Sequence, residues 1–125
     1  MGSGIIAAAM DVLLALGLSL FTVLSRLPFR ARVLYNWDAV QFALALREFD
    51  VAKHQPHPPG YVLYVLMGRL VDGLLHDPNA SYVTLAVFFS GATTFVVYFL
   101  AKTLYDRLTA VAAASLLAVS PLFWF

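Results

Sequence analysis

The stretch from Ala80 to Ala101, ASYVTLAVFFSGATTFVVYFLA, carries no charged residue. A helix needs about 20 largely apolar residues to cross the hydrocarbon core of a bilayer, so this segment is long enough to span one. The rest of the chain has the same character: of its 125 residues, 62% are hydrophobic and only 12% are charged, with a mean hydropathy of +0.82. A soluble domain is nearer half apolar and about a quarter charged, which makes this an integral membrane protein. Eighteen aromatic residues argue against disorder. The absence of cysteine excludes a disulfide scaffold and a thiolate metal site. A net charge of +1 leaves no basic surface to neutralise phosphates, so no nucleic acid partner is expected.

Three further segments are apolar enough to be considered as spans. Met1 to Ser25 is interrupted only by Asp11, and it lacks the basic start and small-residue cleavage site of a signal peptide. Leu108 to Phe125 repeats Ala110, Ala114 and Ala118 at every fourth residue, a spacing that suits close helix contact in lipid. Gly60 to His76 is shorter and carries Arg69, Asp72 and His76 on one helical face. Charges in lipid are costly unless paired or turned inward, so Arg69 and Asp72 are expected to pair, or else Arg69 serves a phosphate. No repeat with a period of 20–50 residues is present. The expected fold is therefore all-α: a polytopic transmembrane helix bundle of about four spans, at about 5–25, 60–76, 80–101 and 108–125. The final Ser120-Pro121-Leu122-Phe123-Trp124-Phe125 stops inside an apolar run. This leads us to expect that residues 1–125 are the N-terminal part of a longer module.

The segment from Arg26 to Pro59 differs in character. It holds five of the eight basic residues, two of the three histidines and four of the six prolines. Asp38 to Phe49 reads as a short amphipathic helix, because Phe42, Ala45, Leu46 and Phe49 fall at i, i+3, i+4 and i+7. Such a helix would lie along the membrane surface. Pro56, Pro58 and Pro59 then prevent helix, and Gly60 opens the next span.

Asp38 is suited to cap this helix, with Gln41 completing a variant capping box and Trp37 with Phe42 forming a hydrophobic staple. Capping leaves one carboxylate oxygen free to act. His54 and His57 are three apart, as metal ligands can be, but no third ligand is evident and no metal site is assigned. Arg47, Lys53 and the two histidines could meet a lipid phosphate, or form a basic loop resting on anionic headgroups.

An ordered series of residues carries a family resemblance. It runs through Asn36-Trp37-Asp38-Ala39-Val40-Gln41-Phe42, Phe49-Asp50, His57-Pro58-Pro59-Gly60-Tyr61-Val62-Leu63-Tyr64 and Gly68-Arg69-Leu70, and ends with residues 120–125. Together these resemble the N-terminal part of the protein O-mannosyltransferase-like membrane glycosyltransferases of the GT-C fold, over about residues 34–125. The resemblance implies a polytopic enzyme that takes a sugar from a polyprenyl-phosphate carrier and places it on an acceptor outside the cytoplasm. It also implies an active-site acid in the first outer loop, the position that Asp38 matches. Many relatives have a second acid three residues later, where this chain has Gln41. That departure counts against a two-carboxylate or metal-assisted site.

The chemistry agrees with that role. Inverting glycosyl transfer needs a base to take a proton from the acceptor as the anomeric carbon is attacked. The departing lipid phosphate gains charge, so a nearby cation lowers the barrier. Asp38 would be the base, or would bind the acceptor or a divalent cation. Arg47, Lys53, His54, His57 and Arg69 are the candidate substrate-binding residues. The partners expected are the bilayer, a lipid-linked sugar donor and an acceptor of unknown identity, with no certain cofactor.

Two other readings use the same residues. A non-enzymatic polytopic protein, or a subunit of a membrane complex, would need only the cap and the ion pair. A transporter fragment would use Arg69 and Asp72 as a relay. Orientation is contested as well. With four spans, the Arg26–Pro59 and Lys102–Arg107 loops share one side, which carries seven Lys and Arg. The positive-inside tendency puts that side in the cytoplasm. The resemblance puts the Asp38 loop outside, and we adopt that orientation as the expectation.

Overall fold

In the computed structural model, which describes residues 2–120, all regular structure is helical. The helices are α1 (Gly2–Arg26), α2 (Trp37–Arg47), α3 (Val62–Leu75), α4 (Pro78–Leu104) and α5 (Arg107–Val119), with single 3-10 turns at Leu27–Phe29 and Val51–Lys53. The chain divides into two compact units, one of Met1–Phe29 with Val87–Phe125 and the other of Arg30–Ala86.

The first unit is built on α1, whose alanine- and leucine-rich sequence favours helix throughout. Its large side chains, among them Ile5, Leu13, Leu16 and Leu20, point outward. Its inward face is small and polar instead, with Asp11, Ala15, Thr22 and Arg26 all buried. The Ser19 hydroxyl donates to the Gly91 carbonyl at 2.8 Å, and the Thr22 and Thr94 hydroxyls meet at 3.1 Å. Small residues let helices approach closely where no hydrophobic force drives them together. Gly91 shows how closely: a Cβ there would lie 2.7 Å from Val23 Cγ2 and 3.2 Å from Ser19 Oγ. The hydroxyls of Ser90, Thr93, Thr94 and Thr103 on α4 donate to carbonyls three or four residues back, so none is left unpaired.

Asp106 caps α5 by accepting from the Thr109 amide at 2.8 Å, and that hydrogen bond lowers the pKa of its carboxyl. Ala110, Ala114 and Ala118 are fully buried, as their four-residue spacing predicts, and the first two pack with Ala15 and Tyr98. Asp11 ties the three helices together. It accepts from the Tyr98 hydroxyl at 2.9 Å and from Arg107 Nε at 2.6 Å, while Lys102 Nζ stands 3.6 Å away. Arg107 also donates to the Ala7 carbonyl at 3.0 Å. These contacts set α1 antiparallel to α4 and parallel to α5. The chain therefore leaves this unit at Phe29 and returns at Val87 at the same end, and Lys102 to Arg107 lies at the other.

The all-α expectation holds, and two of the four expected spans are supported. Among the described residues, two helices are long and apolar enough to cross a membrane, within Gly4–Phe29 and Pro78–Leu104. The second expected span is α3, whose 14 residues cover about 21 Å, short of a hydrocarbon core of about 30 Å. It is cut short because Tyr61 and His76 both take left-handed conformations, with φ of 43° and 55°. The fourth is α5, which ends at Val119 with Ser120 as its C-cap, and residues 121–125 lie outside the described residues. The Lys102–Arg107 loop stands at the opposite end of its unit from Arg26.

In the second unit, α2 and α3 pack with the first turns of α4 around Leu46, Tyr82 and Leu85, flanked by Phe42, Tyr64 and Val71. The apolar stripe of α2 packs against protein, with Ala45 and Leu46 buried. α2 also ends at Arg47, which leaves Phe49 beyond it. The expected Arg69–Asp72 pair is replaced by two longer-range contacts. Arg69 donates to the Ala45 carbonyl at 2.9 Å, satisfying the C-terminal end of α2, and Asp72 accepts from the Ser81 hydroxyl at 3.2 Å.

The two glycines of most different surroundings test this packing. Gly91→Ala forces α1 from α4 and should cost about 1–3 kcal/mol. Gly73 on α3 has open space around its Cβ position, so Gly73→Ala should gain up to about 1 kcal/mol from helix propensity. Thermal unfolding of the detergent-solubilised chain checks both, and equal shifts would contradict the close α1–α4 approach.

Candidate functional site

The site begins where α2 does. Asn36, in extended conformation, caps the helix by accepting from the Ala39 amide at 2.7 Å. Asp38 is therefore not the cap that its sequence position suggests. It stands in the first turn, where the helix dipole favours a carboxylate, with its side chain 68% exposed. Trp37 is exposed too and forms no staple.

One turn on, Gln41 is buried, with 4% of its surface exposed. Its Oε1 lies 2.9 Å from His57 Nδ1, and Asp38 Oδ1 lies 3.7 Å from the same nitrogen. A carbonyl oxygen can only accept, so His57 Nδ1–H is the donor in this bond. Asp38, Gln41 and His57 are thus gathered at one point. Reading Gln41 as part of a capping box missed its role. The signal was present in its burial-competent position one turn from Asp38, but its partner is 16 residues away in sequence.

His57 is held by the turn that precedes α3. Asp50 and Gln55 exchange two backbone hydrogen bonds, of 2.8 and 2.9 Å, and the Asp50 side chain accepts from the Ala52 amide. His54 adopts a left-handed conformation, and the Gln55–Pro56 and Pro58–Pro59 peptide bonds are cis. Gly60 follows with φ of 98°, and a Cβ on it would meet Val51 and Phe49 at 3.0 and 3.2 Å. The imidazole packs edge-on against Phe42 and Tyr61, with centroids at 5.6 and 5.2 Å. Phe42 also meets Tyr64 at 5.1 Å, and its carbonyl accepts from the Tyr82 hydroxyl at 3.1 Å. Gly68 allows this arrangement, since a Cβ there would lie 2.8 Å from the Tyr82 ring.

Beside this cluster is a cavity of about 210 Å³, walled by Leu34, Asn36, Phe42, Tyr64, Asn79 and Tyr82 among others. Asn79 closes one side by donating to the Ala31 carbonyl at 3.1 Å. Asn36 and Ala39, on either side of Asp38 in sequence, line it as well. Its walls are aromatic and apolar with a few polar groups, and its volume is below the roughly 300 Å³ at which small-molecule sites begin.

The expected phosphate-binding residues are dispersed by comparison. Lys53 is engaged by Glu48 and, at 3.6 Å, by Asp50; the hydrogen bond with Glu48 raises its pKa. Arg69 is committed to Ala45. Arg47 is exposed at the far end of α2, about 13 Å along the helix from Asp38. His54 is exposed on the turn. Among the described residues, no three His, Asp or Glu side chains gather as a cation site would require.

No curated protein and no solved structure matches the chain. Residues 38–125, starting at Asp38 itself, match the family described as Protein O-mannosyl-transferase TMEM260 N-terminal domain. That match spans well over half of the sequence, and the chain belongs to this family of O-mannosyl-transferase-type glycosyltransferases.

Proposed function

We propose that this chain carries the catalytic base of a membrane glycosyltransferase that uses a polyprenyl-phosphate-linked sugar, with Asp38 as that base. The observation that carries the reading is the contact set of Asp38, Gln41 and His57 at the start of α2, where the family match also begins. In the proposed step the acceptor hydroxyl loses its proton to Asp38 as its oxygen attacks the anomeric carbon. The bond from that carbon to the lipid phosphate oxygen breaks with inversion, and the phosphate keeps the electron pair. His57 is a positioning residue: with Nδ1–H turned toward Gln41 and Asp38, it keeps the carboxylate facing the turn. Arg47 and His54, whose polar ends are exposed, are the cations available to a phosphate at the membrane edge.

The proposed orientation places residues 30–77, the segment between α1 and α4, outside the cytoplasm. Support comes from the family membership, because the acceptors implied by the resemblance lie there. Arg47, exposed in this segment, then has a phosphate-binding purpose that offsets part of the positive-inside tendency. Asp11 also pairs with Lys102 and Arg107, so the charges at the other end of the first unit are compensated.

Three outcomes follow from this reading. In the full-length protein, Asp38→Asn should lower transfer by about 10²–10⁴-fold, the usual range for loss of a general base, with expression and membrane insertion unchanged. Undiminished transfer would remove Asp38 from the mechanism. Gln41→Leu removes the acceptor for His57 Nδ1 and should lower kcat about tenfold, equivalent to about 1.4 kcal/mol, with little change in KM. A KM effect alone would assign Gln41 to substrate binding instead. Orientation is read from Ala52→Cys, which a membrane-impermeant maleimide should label in intact cells. Labelling only after permeabilisation would place the site in the cytoplasm.

A further inference from the structure

We propose that Tyr61 is the platform on which the sugar of the donor rests, a neutral pyranose stacked against its ring. This role depends on the glycosyltransferase reading and adds a substrate contact to it. Among the described residues, three that are not glycine have positive φ: His54, Tyr61 and His76. His54 closes a 3-10 turn and His76 closes α3, and at the end of a helix a left-handed residue is ordinary. Tyr61 stands instead at the start of α3. A residue there is normally extended, as Asn36 is before α2 and Asp106 before α5. Its side chain makes no capping hydrogen bond. Left-handed backbone is costly for a bulky residue, and glycine or asparagine would hold it at less cost.

Burial does not offset that cost. Tyr61 is 46% exposed, and among the described residues its hydroxyl has no hydrogen-bond partner. What the conformation achieves is placement. The ring stands edge-on to His57 and Phe42, with centroids at 5.2 and 5.6 Å. His57 is the residue that Gln41 and Asp38 meet from the other side of the turn. A strained residue that gains little from packing, held beside an exposed acid, is suited to serve a ligand. The surroundings select an uncharged part of that ligand. Among the described residues, no lysine or arginine is hydrogen-bonded or ion-paired to Asp38, Gln41, His57 or Tyr61. A phosphate finds no cation here, whereas a pyranose finds two kinds of partner. Its face of C–H groups suits the electron-rich face of an aromatic ring. Its hydroxyls can bond to the tyrosine hydroxyl, which both donates and accepts.

The test uses the full-length protein in detergent, titrated in a calorimeter with decaprenyl phosphate and with decaprenyl-phosphate mannose. The ratio of the two affinities isolates what the sugar adds. Tyr61→Asn removes the ring and supplies a residue that tolerates left-handed backbone. It should weaken binding of decaprenyl-phosphate mannose about tenfold, equivalent to about 1.4 kcal/mol, and leave that of decaprenyl phosphate unchanged. Its melting temperature should equal or exceed that of the parent protein, because the strain leaves with the ring. Tyr61→Phe keeps the ring and should retain most of the gain from the sugar. A parent protein that shows no such gain would overturn the donor reading, and the role of Tyr61 with it. A gain that the parent shows and Tyr61→Asn keeps would overturn the role of Tyr61 alone. A raised acceptor KM beside an unchanged donor affinity would assign the ring to the acceptor, and a lowered melting temperature would make it structural; either overturns that role as well.

Discussion

The carboxylate of Asp11 is the constraint on which the arrangement of the membrane-length helices depends. It is the one charged group in α1 before Arg26, and a charge in an apolar helix must find compensation within the protein. It finds three partners on two other helices: Tyr98 near the end of α4, Lys102 one turn further, and Arg107 at the start of α5. A hydrophobic face could slide or rotate against its neighbours at little cost in lipid, because lipid tails are as apolar as leucine. A carboxylate bonded to a phenol and a guanidinium cannot. The register of α1 against α4 and α5 follows, and the buried alanines and Gly91 fill the close approach it imposes.

The candidate site belongs to the other compact unit, residues 30–86, in which α2, the proline-rich turn and α3 form one body. There the Tyr82 hydroxyl reaches the Phe42 carbonyl, and Phe42 packs on His57. The aromatic cluster behind the site thus joins α2, the turn and the first turns of α4.

What could be read from the sequence was mostly local. A charge-free run identifies α4, and a four-residue alanine repeat identifies the buried face of α5. The concentration of basic residues, histidines and prolines marks the loop that carries the site. Contacts between distant residues were not legible. Asn36 and Asp38 are both competent caps two residues apart, and only the backbone conformation of Asn36 decides between them. Arg69 and Asp72 are spaced to pair, yet each has a better partner on another helix, a carbonyl at the exposed end of α2 and a serine on α4. α3 falls within the expected 60–76 and is bounded by two non-glycine residues, Tyr61 and His76, whose positive φ no local pattern announces. Asp11 looked like an interruption because its partners lie 87 and 96 residues away.

Gln41 gives the proposed site its individual chemistry. A carboxylate at this position would stand beside His57 Nδ1 and one turn from Asp38, adding a second negative charge at the helix terminus. An amide offers the same hydrogen-bond acceptor to Nδ1 without that charge, so the ring is oriented by a neutral partner. Its burial matters as much as its chemistry. Gln41 is nearly inaccessible to solvent, so water does not compete for its carbonyl, and the imidazole it orients packs against Phe42 and Tyr61. The carboxylate beside it remains the exposed member of the group. A neutral, buried partner for the histidine and an exposed acid is the arrangement that a single-base transfer requires.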